Sequence, residues 1–215
     1  MARAIIVVVV LVLIGAVAYW YFTANENGEG TSPTQTVDEQ NGEKPATAEA
    51  SVEKAVEWVK NARNDEGAWG APDQGTDPGI TALVLKGLAL NNISPDDNPW
   101  VDKAIQKLLE FQREDGSIFK DGHQGYNTAI CVSALAEFDR DEYAQVIEKG
   151  KNYLIDLQYR PGLERTKEDW YVGGWNYTYD PKSPNMSTTV FALEALRKAG
   201  VDEDHEVYER ALKFT

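Results

Sequence analysis

Residues 104–119 read AIQKLLEFQREDGSIF. Ala104, Ile105, Leu108, Leu109 and Gln112 fall on one helical stripe, while Lys103, Gln106, Lys107 and Glu110 fall outside it. The stripe ends in a glutamine, is broken at Asp115-Gly116 and resumes with an aromatic, Phe119. The same layout of helix, polar turn, acid-Gly and aromatic occurs at 55–70, AVEWVKNARNDEGAWG. A third copy starts at Gly150 with GKNYLIDLQYRPG and reaches its own Gly174-Trp175 only after an insertion. Self-similarity of this kind marks a helical repeat.

Each copy is followed by a second apolar segment with a shared signature. Thr81-Ala82-Leu83-Val84 leads to Gly87-Leu88, Thr128-Ala129-Ile130-Cys131 to Ala134-Leu135, and Thr189-Val190-Phe191-Ala192 to Ala195-Leu196. The step from Thr to Leu is seven residues in all three, which is two helical turns and keeps both on one face. The first helix of each pair is amphipathic and the second is apolar nearly all round, so an outer and an inner layer are expected. Asn98-Pro99 supplies a cap and an N1 proline for the second outer helix, Asp139 can cap the third and Asp202 a fourth. The glycine after each outer helix permits a positive-φ stop. No stretch alternates like a strand with hairpin turns. The expected fold class is all-α, built of antiparallel helix pairs.

Outer helices of the form Lys-Ala/Gly, aromatic-Leu, Gln, then Gly-x-aromatic resemble the QW repeats of squalene and hopene cyclases and of protein prenyltransferase β subunits. Lys149-Gly150, Tyr153-Leu154, Gln158 and Gly174-Trp175 carry the likeness best, followed by Lys103-Ala104, Leu109, Gln112 and Gly116. The resemblance covers about residues 52–215 and implies a partial α/α toroid with inner helices around an apolar cavity. It is specific for the repeat and weak for any one reaction, because fold does not carry function with it. Gln112, Gln158, Gly67, Trp69, Gly116, Gly174 and Trp175 are read as structural staples: an amide at a helix end can bond orphan carbonyls while the Trp packs over the turn.

The cyclases of that superfamily protonate an alkene with a DxDD motif at the start of an inner helix. Here the matching stretch is Asp77-Pro78-Gly79-Ile80-Thr81-Ala82, so Gly79 and Ile80 replace the second and third acids and only Asp77 remains as a catalytic candidate. The prenyltransferase β subunits hold zinc with Asp, Cys and His. Asp121, His123 and Cys131 are the residues of those types here, without the family's local Cys motif, and no metal site or cofactor is expected. Asp96-Asp97 reads as a solvated turn and His205 as a surface residue. The insertion, 163–187, gathers Trp170, Tyr171, Trp175, Tyr177 and Tyr179, aromatics that either pack on neighbouring turns or form a recognition surface.

The first fifty residues differ in kind. Ala4 to Phe22 is an uncharged apolar run of bilayer-spanning length, preceded by Arg3, followed by Glu26 and Glu29, and closed by Tyr19-Trp20-Tyr21-Phe22 like an interfacial belt. Residues 1–22 are thus a transmembrane anchor with a cytoplasmic N-terminus; the other reading is a signal peptide cut after Ala16-Val17-Ala18. Either puts the rest outside the cytoplasm, single-pass or secreted. Residues 23–51 lack large apolar side chains and read as a flexible acidic linker, and 52–215 as the repeat domain. A net charge of −14 argues against a nucleic-acid partner, and the single cysteine excludes an internal disulfide. Three Asn-x-Ser/Thr matches, at Asn92, Asn176 and Asn185, bear on glycosylation only in a eukaryotic host.

Glu209 to Phe214 resembles the start of a fourth outer helix, so the repeat domain is expected to be truncated, with further repeats or an oligomeric partner covering its edge. Two functional readings follow. One is a membrane-tethered extracytoplasmic module that binds a peptide or an isoprenoid lipid without turnover. The other is a piece of a cyclase- or prenyltransferase-like enzyme with its catalytic residues beyond Thr215.

Overall fold

A computed structural model of the protein describes residues 47–178 and 183–214. The expected anchor at 1–22, nearly all of the expected linker and Tyr179 lie outside the described residues. Among the described residues there is no strand, and no helix is long and apolar enough to cross a membrane. The chain divides into two compact units, Met1–Asn61 and Ala62–Thr215.

In the first unit, helix α1 (Ala48–Asn61) begins before the composition change at Val52. Ala-Glu-Ala favours a helix, Glu49 sits in its first turn, and the Thr47 hydroxyl accepts from the Ala50 amide at 3.2 Å, which satisfies an orphan donor. The last residues read as linker are therefore helical.

The second unit alternates two kinds of helix. The inner ones are α2 (Pro78–Leu90), α4 (Gln124–Glu137) and α6 (Met186–Lys198); the outer ones are α3 (Pro99–Leu109), α5 (Ala144–Leu157) and α7 (Glu206–Ala211). Helix α4 lies between α2 and α6 and packs extensively on both, which is why its residues from Thr128 to Leu135 are all buried. Helix α3 packs on α2, and α5 packs on α4 and α6. A small residue marks the register of each outer helix: Ala104, Gly150 and Ala211 are all buried. At Gly150 a Cβ would stand 2.5 Å from the Val132 side chain of α4, so the outer helix approaches the inner one on bare backbone. Around this contact, Ala129, Tyr153, Leu154, Trp175, Ala192, Leu196, Val207 and Ala211 form one continuous core.

Of the expected caps, Asn98 takes the cap position and the other two need correction. Asn98 does precede Pro99, but its amide turns back to the Ser94 carbonyl at 2.9 Å and gives no side-chain cap. Asp139 does not cap the third outer helix: it takes a left-handed φ of 49°, and a 3-10 turn, Asp141–Tyr143, intervenes. The cap of α7 is His205, whose Nδ1 accepts from the Val207 amide at 3.2 Å, whereas Asp202 gives only its carbonyl to the His205 amide. His205 is therefore a structural residue of the helix start.

Candidate functional site

The staple recurs at bond level. In the turns that follow α1, α3 and α5 the same pair of backbone hydrogen bonds recurs: Asn64 N–H to Ala68 O with Gly67 N–H to Asn64 O, Arg113 N–H to Ser117 O with Gly116 N–H to Arg113 O, and Tyr159 N–H to Gly174 O with Gly173 N–H to Tyr159 O. Gly67, Gly116 and Gly173 have φ of 87°, 88° and 93°, a region that favours glycine. The turn glycine of the third repeat is thus Gly173. Gly174 occupies the buried position of Ala68 and Ser117, and the sequence pattern misplaced the turn by one residue because the insertion separates it from its helix. Compared with the other two turns, the inserted residues are therefore 160–172 and not 163–187, and the same two bonds close them off.

The inner-helix threonines complete the staple. The Thr81, Thr128 and Thr189 hydroxyls accept from the amides of Trp69 (3.2 Å), Ile118 (2.8 Å) and Trp175 (3.0 Å). Ile118, two residues after Gly116, therefore takes the place of the aromatic, and Phe119 does not. The glutamines tie each outer helix to the next. Gln112 Nε2 donates to Val146 O at 2.9 Å. The fully buried Gln158 donates to Val207 O at 2.8 Å and Gly173 O at 3.0 Å, and its Oε1 accepts from Arg210 Nε at 2.7 Å. In the first repeat Arg63 stands in the glutamine position, its guanidinium 5.2 Å from the ring centroid of Trp100, which shares the register of Val146 and Val207.

Asp77 caps α2: its Oδ1 accepts from the Ile80 amide at 2.8 Å, and its own amide donates to Trp69 O. Asn185 does the same for α6, accepting from Thr188 N–H at 2.9 Å and donating to Trp175 O. The one residue left of the acid motif therefore performs a task that a neutral asparagine performs two repeats later. Where the second acid would be, Gly79 faces Asn127; a Cβ there would lie 2.5 Å from Asn127 Oδ1.

Cys131 is buried in α4 with its Sγ 3.5 Å from Pro78 O, and burial, with Asp77 nearby, pushes its thiol well above the ordinary range. It is a core thiol. His123 precedes α4 in a left-handed conformation and meets Tyr177 edge-on at 5.2 Å. Among the described residues no group of three His, Cys, Asp or Glu could hold a metal ion.

The aromatics of 163–187 separate. Trp175 is fully buried, its Nε1 donating to Leu154 O at 2.8 Å, so it belongs to the staple and offers no recognition surface. Trp170 is 56% exposed and stands edge-on to Tyr171, which in turn packs on Tyr159. Arg165 fixes this loop by donating to Asp156 O at 2.8 Å and by lying over the Tyr159 ring. Tyr177 turns the other way, to Tyr126 at 5.6 Å, and Tyr126 meets Phe191 edge-on at 5.0 Å.

Tyr126 and Phe191 fall on one face of the inner layer together with Leu83, by helical register. All three are half-buried, and burial first, then Tyr177, raises the Tyr126 hydroxyl above its usual range. One turn along the same face Lys86 of α2 reaches Glu194 of α6 at 2.7 Å. Between them at that register is Ser133 of α4, whose buried hydroxyl has no partner. The inner face is thus apolar and aromatic at one end and bridged by an ion pair at the other. Tyr126, Phe191, Lys86 and Glu194 were missed from sequence; their spacing from Thr81, Thr128 and Thr189 was the available signal.

No family model matches the chain. It is similar to the squalene–hopene cyclase of Zymomonas mobilis subsp. mobilis, 29% identical over 178 residues, which cover 71% of this chain and 26% of that protein. The similarity is a distant, terpenoid cyclase-like one. The chain spans about a quarter of the length of the curated relative it matches.

Proposed function

We propose that the repeat domain is a binding module of the α/α-toroid type that takes an isoprenoid-like apolar chain on its inner face and does not cyclise it. The observation that carries the reading is Asp77: its carboxylate is spent on the helix start, and Gly79 and Ile80 occupy the other acid positions. A cyclase needs an unusually strong acid set in an apolar cavity. Leu83, Tyr126 and Phe191 support the ligand class, since they offer apolar and aromatic surface without a carboxylate of that motif. The distant similarity to a squalene–hopene cyclase supports it as well. The N-terminal apolar run, with Arg3 before it and aromatics at its end, supports a tethered domain outside the cytoplasm that samples ligands near a membrane.

Titration of the purified protein with farnesol, followed by intrinsic tyrosine and tryptophan fluorescence, tests this. Saturable binding is expected, weakened roughly fivefold by Phe191→Leu, which removes the edge-on ring pair. Non-saturable partition, equal for both proteins, would sink the reading.

A second reading rests on the coverage of the match. Because the chain spans about a quarter of the cyclase, it is also compatible with one part of a longer enzyme whose acid lies elsewhere. Turnover by a longer native form, with this stretch inactive alone, would favour it.

A further inference from the structure

The inner face changes character along its length. Tyr126 and Ser133 of α4 are seven residues apart, two turns on one face, and Leu83 to Lys86 of α2 and Phe191 to Glu194 of α6 make the same passage from apolar to polar. Lys86 Nζ and Glu194 Oε1 meet at 2.7 Å across α4, with side chains 15% and 30% exposed. Ser133 lies at their register. One residue earlier, Val132 meets Gly150 of α5, so Val132 takes the outer side of α4 and Ser133 turns from it towards the inner face. The Ser133 hydroxyl is buried and bonds to nothing, a costly state for a polar group. One turn further along, Lys198 of α6 pairs with Glu137 of α4, so that two lysines are matched by two carboxylates on this half of the face.

We propose that Ser133, Lys86 and Glu194 form a subsite for an uncharged hydroxyl, so that the inner face prefers a chain alcohol to the hydrocarbon or the diphosphate of the same chain. The inference rests on the reading that this face takes an apolar chain, and adds which end of the face holds which end of the ligand. Hydrogen-bonding capacity selects the hydroxyl, which has one hydrogen and two acceptor lone pairs. Entering between Lys86 and Glu194, it donates to the Glu194 carboxylate and accepts from the Lys86 ammonium and from the Ser133 hydroxyl, which gains the partner it lacks. A hydrocarbon end satisfies none of the three. A diphosphate brings negative charge against Glu194 and Glu137, and finds both lysines already matched. From this subsite the chain runs towards Leu83, Phe191 and Tyr126.

Farnesol, farnesene and farnesyl diphosphate titrated against the full chain, read by intrinsic fluorescence, test the subsite. All proteins are compared in the same detergent, so that partition of each ligand into it cancels between them. Farnesol should bind at least about tenfold more tightly than farnesene, and the diphosphate no more tightly than farnesene. Ser133→Ala removes one oxygen and should weaken farnesol about fivefold while leaving farnesene unchanged, a selectivity that lost packing alone would not produce. Glu194→Gln leaves Lys86 unmatched and should strengthen diphosphate binding about fivefold. Farnesol and farnesene bound equally, a diphosphate bound most tightly of the three, or a Ser133→Ala chain that keeps the full preference or loses both ligands alike would overturn the subsite and leave an apolar-chain site standing. Saturable binding of none of the three would overturn both.

Discussion

Trp175 and Gln158 show how much of this fold rests on single side chains. Trp175 is buried, bonded through its indole to Leu154 O and through its amide to Thr189, and packed among the residues of α5, α6 and α7. Trp175→Ala should cost about 3–5 kcal/mol in urea unfolding, the range for deleting a large core aromatic. Gln158→Ala strands two carbonyls and a guanidinium nitrogen in a buried seam, for roughly 3 kcal/mol, whereas Gln112→Ala, with one bond at a half-buried site, should cost about 1 kcal/mol. Equal losses at the two glutamines would contradict the seam as described. Asp77→Ala should cost about 1 kcal/mol and Asp77→Asn only a few tenths, because asparagine caps as well as aspartate does. The staple was legible in the sequence because the same residue types recur at the same spacing. The role of Asp77 as a cap was not, since an acid before a helix reads alike whether it caps or catalyses.

At the scale of elements, the turns between helices hold the least legible structure. The turn after α1 is closed by Glu66, whose Oε2 accepts from the Thr76 hydroxyl at 2.5 Å and amide at 3.1 Å while its Oε1 pairs with Lys107 of α3 at 3.2 Å. The Thr76 hydroxyl and amide, then Lys107, hold its carboxyl down from the ordinary 4.5 to about 2. A carboxyl depressed in the folded state stabilises it fully above about pH 4.5, and that contribution is lost as pH falls towards 2. The difference in unfolding free energy between the protein and Glu66→Gln should therefore shrink across that interval. A difference that stays constant from pH 6 to 2 would show that the contact does not hold in solution. Nothing in the spacing of Glu66, Thr76 and Lys107 announces this clasp, because it joins a loop to the next helix. Asn98 holds the cap position before Pro99 without a side-chain bond, whereas the caps at Asp139 and Asp202 went astray for a related reason: several polar residues precede each of these helices, and backbone geometry chooses among them. Helix periodicity fixes a face but not the loop that enters it.

For the molecule as a whole, the all-α class and the division into outer and inner helices are legible in the three repeats, since the apolar composition of α2 and α4 matches their burial on most sides. The inner face was less legible. Lys86, Tyr126 and the pair Phe191 and Glu194 belong to three different repeats and meet only through helix packing, so no single stretch of sequence displays them together. On the proposed function, this face binds an apolar chain without the acid that would cyclise it. The most direct measurement is mass-spectrometric analysis of squalene incubated with the purified full chain and re-isolated with it by gel filtration. Squalene should travel with the protein and be recovered unchanged; recovery of a cyclised product, lost in Asp77→Asn, would show turnover in place of binding.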